Sequence, residues 1–297
     1  MRILLTGGSG FIGRNLHEYL SKEHDVLTPT HAELDLADSE VLDRWFSAHE
    51  VDVVIHGAVR PGHRNAADPS RQLWTNLRMF FGIMRNARRF GRLVFLSSGA
   101  VYDVARALVR VSEDDLGASL PADEHGLSKY AIAQYLEMAH RSGAADVVEL
   151  RLFGVFGKYE NYAIRFVSNA ICKSLFDLPI TLRQNRTFSY LYIDDLGPIV
   201  ERFLSGPHDE AAYNVVPDWT NDLYDLAVLV KRKSGKELPI LVGTPGSGLP
   251  YCAANGRLRR QLGDVSFTPV EAAVGALFDW YSTNRDALDR AVLLRDK

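Results

Sequence analysis

The chain has 297 residues, 46% of them hydrophobic, and a net charge of −3. That leaves room for one large α/β unit or two modest domains with a sizeable core, and it argues against nucleic acid or an acidic membrane surface as the main partner. Two cysteines, Cys172 and Cys252, are too few for a disulfide framework or a zinc site, and no run of 18 apolar residues offers a membrane span; a soluble, cytoplasmic protein without a structural metal is expected.

The first half alternates short apolar runs with helical stretches. Strands are predicted at 3–6, 26–28, 53–56, 93–97 and 147–152, and helices at 11–20, 39–48, 71–89 and 128–140. Strand–helix alternation at this pitch predicts an α/β fold, a doubly wound parallel sheet covered on both faces. The near-continuous apolar runs VVI and LVFL fit strands buried on both sides. After Arg151 the pattern loosens, and FGVFGKYENY is loop-like. A helix is predicted at 163–176, a strand running into a helix start at 188–196, a surface loop at 243–250 and a last helix at 269–285. The expected division is a dinucleotide-binding unit, 1–156 plus about 187–212, and a smaller C-terminal substrate-binding lid, about 157–186 and 213–297.

The stretch 7-GGSGFIG-13 follows the first strand and opens a helix. Small residues there let the backbone approach a pyrophosphate, and the helix N-terminus presents free N–H groups to it. Gly7, Gly10, Phe11, Ile12 and Gly13 are therefore candidate cofactor contacts. The end of the second strand selects the dinucleotide, because an acid there repels a 2′-phosphate. In 26-VLTPTHAE-33 no acid stands directly at the strand end, and Glu33 comes late. Thr30, His31 and Arg14 could surround a phosphate, so NADP(H) is favoured over NAD.

The ordered set TGGSGFIG (6–13), LDLAD (34–38), VVIHGAV (53–59), FLSSGAVY (95–102), HGLSK (125–129), RLFGVFG (151–157) and YLYIDDL (190–196), with Asn76 in WTNLRMF, resembles the extended short-chain dehydrogenase/reductases acting on nucleotide-linked sugars. The resemblance covers nearly the whole chain and implies a Rossmann-like sheet, an NAD(P) cofactor, a nucleotide-sugar substrate and a homodimer built on two helices of the large unit. It implies Asp35 and Leu36 at the adenine, Ser98 at the reacting sugar oxygen, Lys129 on the nicotinamide ribose, and Asn76 in the supporting polar network. Elementary chemistry agrees. Hydride transfer at a C–OH carbon needs a matched proton transfer at the oxygen, a donor such as Ser98 helps where charge builds, and a cation such as Lys129 favours a deprotonated acid/base. Residues 125 and 129, four apart on a helix, share a face.

The departure is His125, which stands where the family has tyrosine. Three readings stay open: imidazole replaces the phenol as acid/base, the substitution cripples turnover while sparing binding, or the protein binds without catalysing. Tyr102 and Tyr130 are alternative proton donors, Tyr130 the poorer because it points away from residue 125. Where the family's dehydratases carry an acid pair, this chain has Gly99 and Ala100, and Ala100 also replaces the cysteine of the C3/C5 epimerising relatives. Reduction of a 4-keto nucleotide sugar is the favoured reaction, with 4-epimerisation on retained NAD as the alternative. Arg186, with Arg257 second, is the candidate diphosphate ligand, and Tyr159, Asn161 and Tyr162 lie in a loop where ligands dock in such sheets.

Overall fold

The computed structural model describes residues 1–60 and 70–295. Six parallel strands form the central sheet: β1 Arg2–Thr6, β2 Asp25–Leu27, β3 Val53–His56, β4 Arg92–Ser98, β5 Val147–Leu152 and β6 Ala212–Val215. Their order is β6-β5-β4-β3-β1-β2. The chain steps outward from β1 to β2, then returns to β3 on the other side, which makes the β1/β3 crevice the switch point where ligands bind in open α/β sheets.

The two-residue period of a strand explains the continuous apolar runs. Ile3, Leu5, Val53, Ile55, Val94 and Leu96 join one core layer, with α1 (Phe11–Leu20) and α6 (Ile193–Ser205) packed over it. The alternate residues Leu4, Val54, Leu93 and Phe95 join the other layer, with α2 (Ser39–Ala48), α3 (Gln72–Arg85) and α4 (Glu124–Ser142).

A third core belongs to α5 (Phe166–Leu175), α7 (Leu223–Ser234) and α9 (Val270–Thr283), closed by the parallel strand pair Ile180–Asn185 and Ile240–Ser247. The stretch expected as a surface loop at 243–250 thus lies largely in a strand. It is exposed and edge-like, with a register shift between Thr244 and Ser247, and an edge tolerates the glycines and Pro245 that would break a central strand. The sheet also reaches past the expected boundary at residue 212. It takes β6, and Leu258 and Leu262 of α8 (Gly256–Leu262) join its core. A small sheet is ordered Asn221–Asp222, Thr187–Phe188, Tyr251–Ala253, Leu108–Val111.

Candidate active site

The glycine turn is built at van der Waals limits. Gly7 has φ +76°, and a Cβ there would lie 2.8 Å from the Ala58 nitrogen at the end of β3. A Cβ on Gly13 would lie 2.1 Å from the Gly7 carbonyl. Only glycine therefore lets α1 start this close to the sheet. Gly10 N–H donates to the Gly7 carbonyl at 3.0 Å, and Gly10 caps α1 without any side-chain hydrogen bond, so the first-turn N–H groups remain for an anion. Phe11 and Ile12 pack against the sheet core, which leaves their backbone to meet a ligand. A pyrophosphate fits this cradle.

Beside it, Glu33 folds back onto Thr30, accepting from its N–H at 2.7 Å and its hydroxyl at 2.8 Å. Asp35 accepts from Ala37 N–H at 2.9 Å, with exposed His31 3.8 Å away, and Leu36 is buried in the sheet's second core layer. Arg14 is exposed, its guanidinium 3.8 Å above the Tyr159 ring. Tyr159, at φ +69°, donates its hydroxyl to Glu18 of α1 at 2.5 Å. The loop residue expected at the substrate is thus docked on the helix that the glycine turn opens.

Ser98 ends β4, and its hydroxyl accepts from Ala100 N–H at 3.2 Å. α4 rests directly on the turn after β4, since a Cβ on Gly126 would lie 2.7 Å from the Ala100 carbonyl. Asp123 caps α4 by accepting from Gly126 N–H at 2.9 Å. The helix start is then fixed by a polar chain. Asn76 accepts from Arg60 N–H at 2.9 Å and donates to the Ser128 hydroxyl at 3.1 Å, and Ser128 donates to the His125 carbonyl at 2.7 Å. Lys129 is buried against the Phe95 ring, 4.3 Å from its centroid, and donates to the Leu96 carbonyl at 3.1 Å. Burial lowers its pKa to about 8, with Glu149 pulling the other way. His125 is half-buried. Burial, the Lys129 charge and the Arg165 charge hold its pKa below the usual 6.5 against the opposing Asp123, so the imidazole is neutral at pH 7.

The other candidates are placed as follows. Tyr102 is sealed in a buried network: it accepts from Arg151 at 2.8 Å and donates to Asn214 at 2.9 Å, while Arg151 pairs with Glu149 at 2.9 Å. The Tyr130 hydroxyl lies beside Gly117. Arg257 is clamped between Asp114 at 2.5 Å and Glu210 at 3.3 Å, which removes the free guanidinium a diphosphate would need. Asn161 accepts from Ala163 N–H at 3.1 Å, and the Tyr162 hydroxyl accepts from Asp289 N–H at 2.9 Å. Arg186 donates to the Leu249 carbonyl and lies 5.0 Å from the Phe188 ring and 5.8 Å from the Tyr251 ring. Two residues missing from the sequence reading lie near these groups: Arg165, just before α5, bears electrostatically on His125, and Tyr251 comes up against Gly99, next to Ser98. No local pattern marks either one.

A glycine cradle at the switch point, with a hydroxyl and a buried ammonium at the adjoining strand end, defines a dinucleotide-dependent oxidoreductase scaffold. Residues 3–216 match the NAD dependent epimerase/dehydratase family, and the chain belongs to it as an NAD(P)-dependent oxidoreductase or epimerase. The UDP-glucose 4-epimerase of Bacillus subtilis is 24% identical over 335 residues, spanning 96% of this chain and 98% of that protein. The GDP-6-deoxy-D-mannose reductase of Pseudomonas aeruginosa is 27% identical over 256 residues, 81% of this chain and 82% of its own length. Among solved structures, the GDP-mannoheptose C4 reductase of Campylobacter jejuni with NADP bound superposes at a TM-score of 0.83 over 95% of this chain and 98% of its own, at 17% identity, a likeness of fold.

Proposed function

We propose that the protein is an NADP(H)-dependent reductase of a 4-keto nucleotide-diphosphate sugar. The observation that carries this reading is the Ser98 hydroxyl at the end of β4, with the buried Lys129 ammonium bound to the Leu96 carbonyl of the same strand, beside Gly99 and Ala100. The pair can polarise a carbonyl oxygen, while residues 99 and 100 offer neither the carboxylates nor the thiol that elimination or C3/C5 deprotonation would require.

The first-turn N–H groups after Gly7, Gly10 and Gly13 hold the pyrophosphate, Asp35 and Leu36 flank the adenine, and Arg14 with His31 faces the 2′-phosphate. Lys129 binds the nicotinamide ribose. The reduced nicotinamide supplies the hydride when bound. Ser98 donates a hydrogen bond to the sugar carbonyl oxygen, where negative charge builds, and Arg186 meets the diphosphate.

The test is NADPH and NADH oxidation against a panel of 4-keto nucleotide sugars, with the protein run beside His125→Tyr. NADPH-dependent turnover by the protein itself supports the reading. Turnover by His125→Tyr alone would mean a binding-competent chain whose chemistry is disabled at residue 125. The near full-length match to a UDP-glucose 4-epimerase supports a second reading, 4-epimerisation on retained NAD. Nicotinamide dinucleotide released on denaturing the purified protein, with no net NADPH consumption, would favour it.

A homodimer through α3 and α4 belongs to the same reading. Trp74, Phe81 and Met138 are large apolar side chains exposed on these two helices. Phe81→Glu combined with Met138→Glu should convert a dimer to a monomer by light scattering, and a monomeric unsubstituted protein would reject the assembly.

A further inference from the structure

We propose that Tyr251 is the proton donor of this site, passing its phenolic proton to the sugar carbonyl oxygen through the Ser98 hydroxyl. The assignment rests on the reductase reading and replaces residue 125 as the source of the proton.

The phenol is held by the small sheet. Tyr251 pairs in parallel with Leu108 on one side and Phe188 on the other. Its ring packs 4.8 Å from the Phe153 ring and 5.8 Å from the Phe188 ring. The hydroxyl then reaches the turn after β4, where a Cβ on Gly99 would lie 2.6 Å from it and 2.7 Å from Phe153. Residue 99 is thus a glycine where any side chain would displace the phenol from the neighbourhood of Ser98. The phenol thus stands at residue 99, next in the chain to Ser98, whose hydroxyl draws the phenol's pKa down. The Ser98 oxygen already accepts from Ala100, so its own proton is free to be donated.

The protonation states favour the same assignment. Burial pushes the Tyr251 phenol up to about 12, with Ser98, Arg186 and Arg165 drawing it back and Asp123 adding to the rise. It therefore keeps its proton at neutral pH and can yield it to an alkoxide, a stronger base. His125 is neutral there and has already lost its acidic proton. Tyr102 is committed to Arg151 and Asn214.

The step balances. Hydride from the reduced nicotinamide forms the new C–H bond as the carbonyl π bond breaks. The carbonyl oxygen takes the Ser98 proton, Ser98 takes the Tyr251 proton, and the phenolate takes a proton from solvent. Ketone, NADPH and one proton give alcohol and NADP+.

The experiment compares the protein with Tyr251→Phe and His125→Gln, measuring kcat, KM and NADPH affinity from about pH 5 to about pH 7. Phenylalanine keeps the ring packing, and unchanged NADPH affinity and thermal midpoint certify the fold. The expected result is a kcat loss of about 100-fold or more in Tyr251→Phe, near-parental kcat in His125→Gln, and a parental rate flat over this range. A parental rate that falls as pH rises through this range, or a loss confined to His125→Gln, would assign the proton to the imidazole and overturn the proposal while leaving the reductase reading intact. A parental protein that binds NADPH yet reduces no 4-keto sugar would overturn the reductase reading, and the proposal with it.

Discussion

At residue 129 a charge is held where charge is expensive. The Lys129 ammonium is buried, with one backbone carbonyl as its hydrogen-bond acceptor, and burial leaves its pKa near 8. If the cation serves the reaction, the working form exists below that value and is lost as pH rises through it. The kcat/KM profile should therefore descend around pH 8, and Lys129→Met should abolish that limb with a loss of about 100-fold or more in rate. A Lys129→Met enzyme with an unchanged profile would remove the cation from the chemistry. Of the residues read from motif segments, Lys129 reaches the Leu96 carbonyl of the strand that Ser98 ends, and Asn76 holds the start of the same helix through Ser128. Tyr159 and Arg257 do not join them. Each is drawn to partners distant in sequence, Glu18 for one and Asp114 with Glu210 for the other, and local spacing carries no trace of such partners.

The first strand–turn–helix tolerates little change. Gly13→Ala would set a methyl 2.1 Å from the Gly7 carbonyl, so the turn or α1 must shift. A loss of about 1–3 kcal/mol in stability and of NADPH affinity is expected, read by thermal unfolding and calorimetry; intact affinity would show that the cradle is not the pyrophosphate site. Elements of this kind were legible from sequence because two signals coincide in them: apolar periodicity and a glycine or capping residue at the boundary. Val53–His56, Phe11–Leu20 and Ser39–Ala48 fall where the pattern puts them. Strands of two or three residues, such as Thr187–Phe188 and Tyr251–Ala253, are too short to show a period, and they form because segments far apart in the chain pair with them. Tyr251 belongs to one of these, which is why nothing around it in the sequence announces its place beside Ser98.

At the scale of the whole molecule, a buried acid lies against α5 of the third core. Glu160 is buried, accepts from the Ser168 hydroxyl at 2.6 Å, and burial raises its pKa from the ordinary 4.5 to about 8, against the nearby Arg165. Between those two values the unfolded chain releases the proton and the folded chain keeps it. Stability should therefore fall as pH rises from about 4.5 towards 8, by an amount on the order of a few kcal/mol. Glu160→Gln, which keeps the shape and cannot ionise, should flatten this dependence when thermal midpoints are compared at about pH 5.5 and about pH 8. An unchanged slope in the variant would place the titrating group elsewhere.

The crowding of Gly99 against the Tyr251 hydroxyl also sets an order in which this site could change over evolutionary time. An acid introduced at residue 99 would collide with the phenol. Residue 251 must shrink or withdraw first. A side chain at residue 99 therefore requires the phenol to move, and a designer grafting an acid pair onto residues 99 and 100 meets residue 251 first.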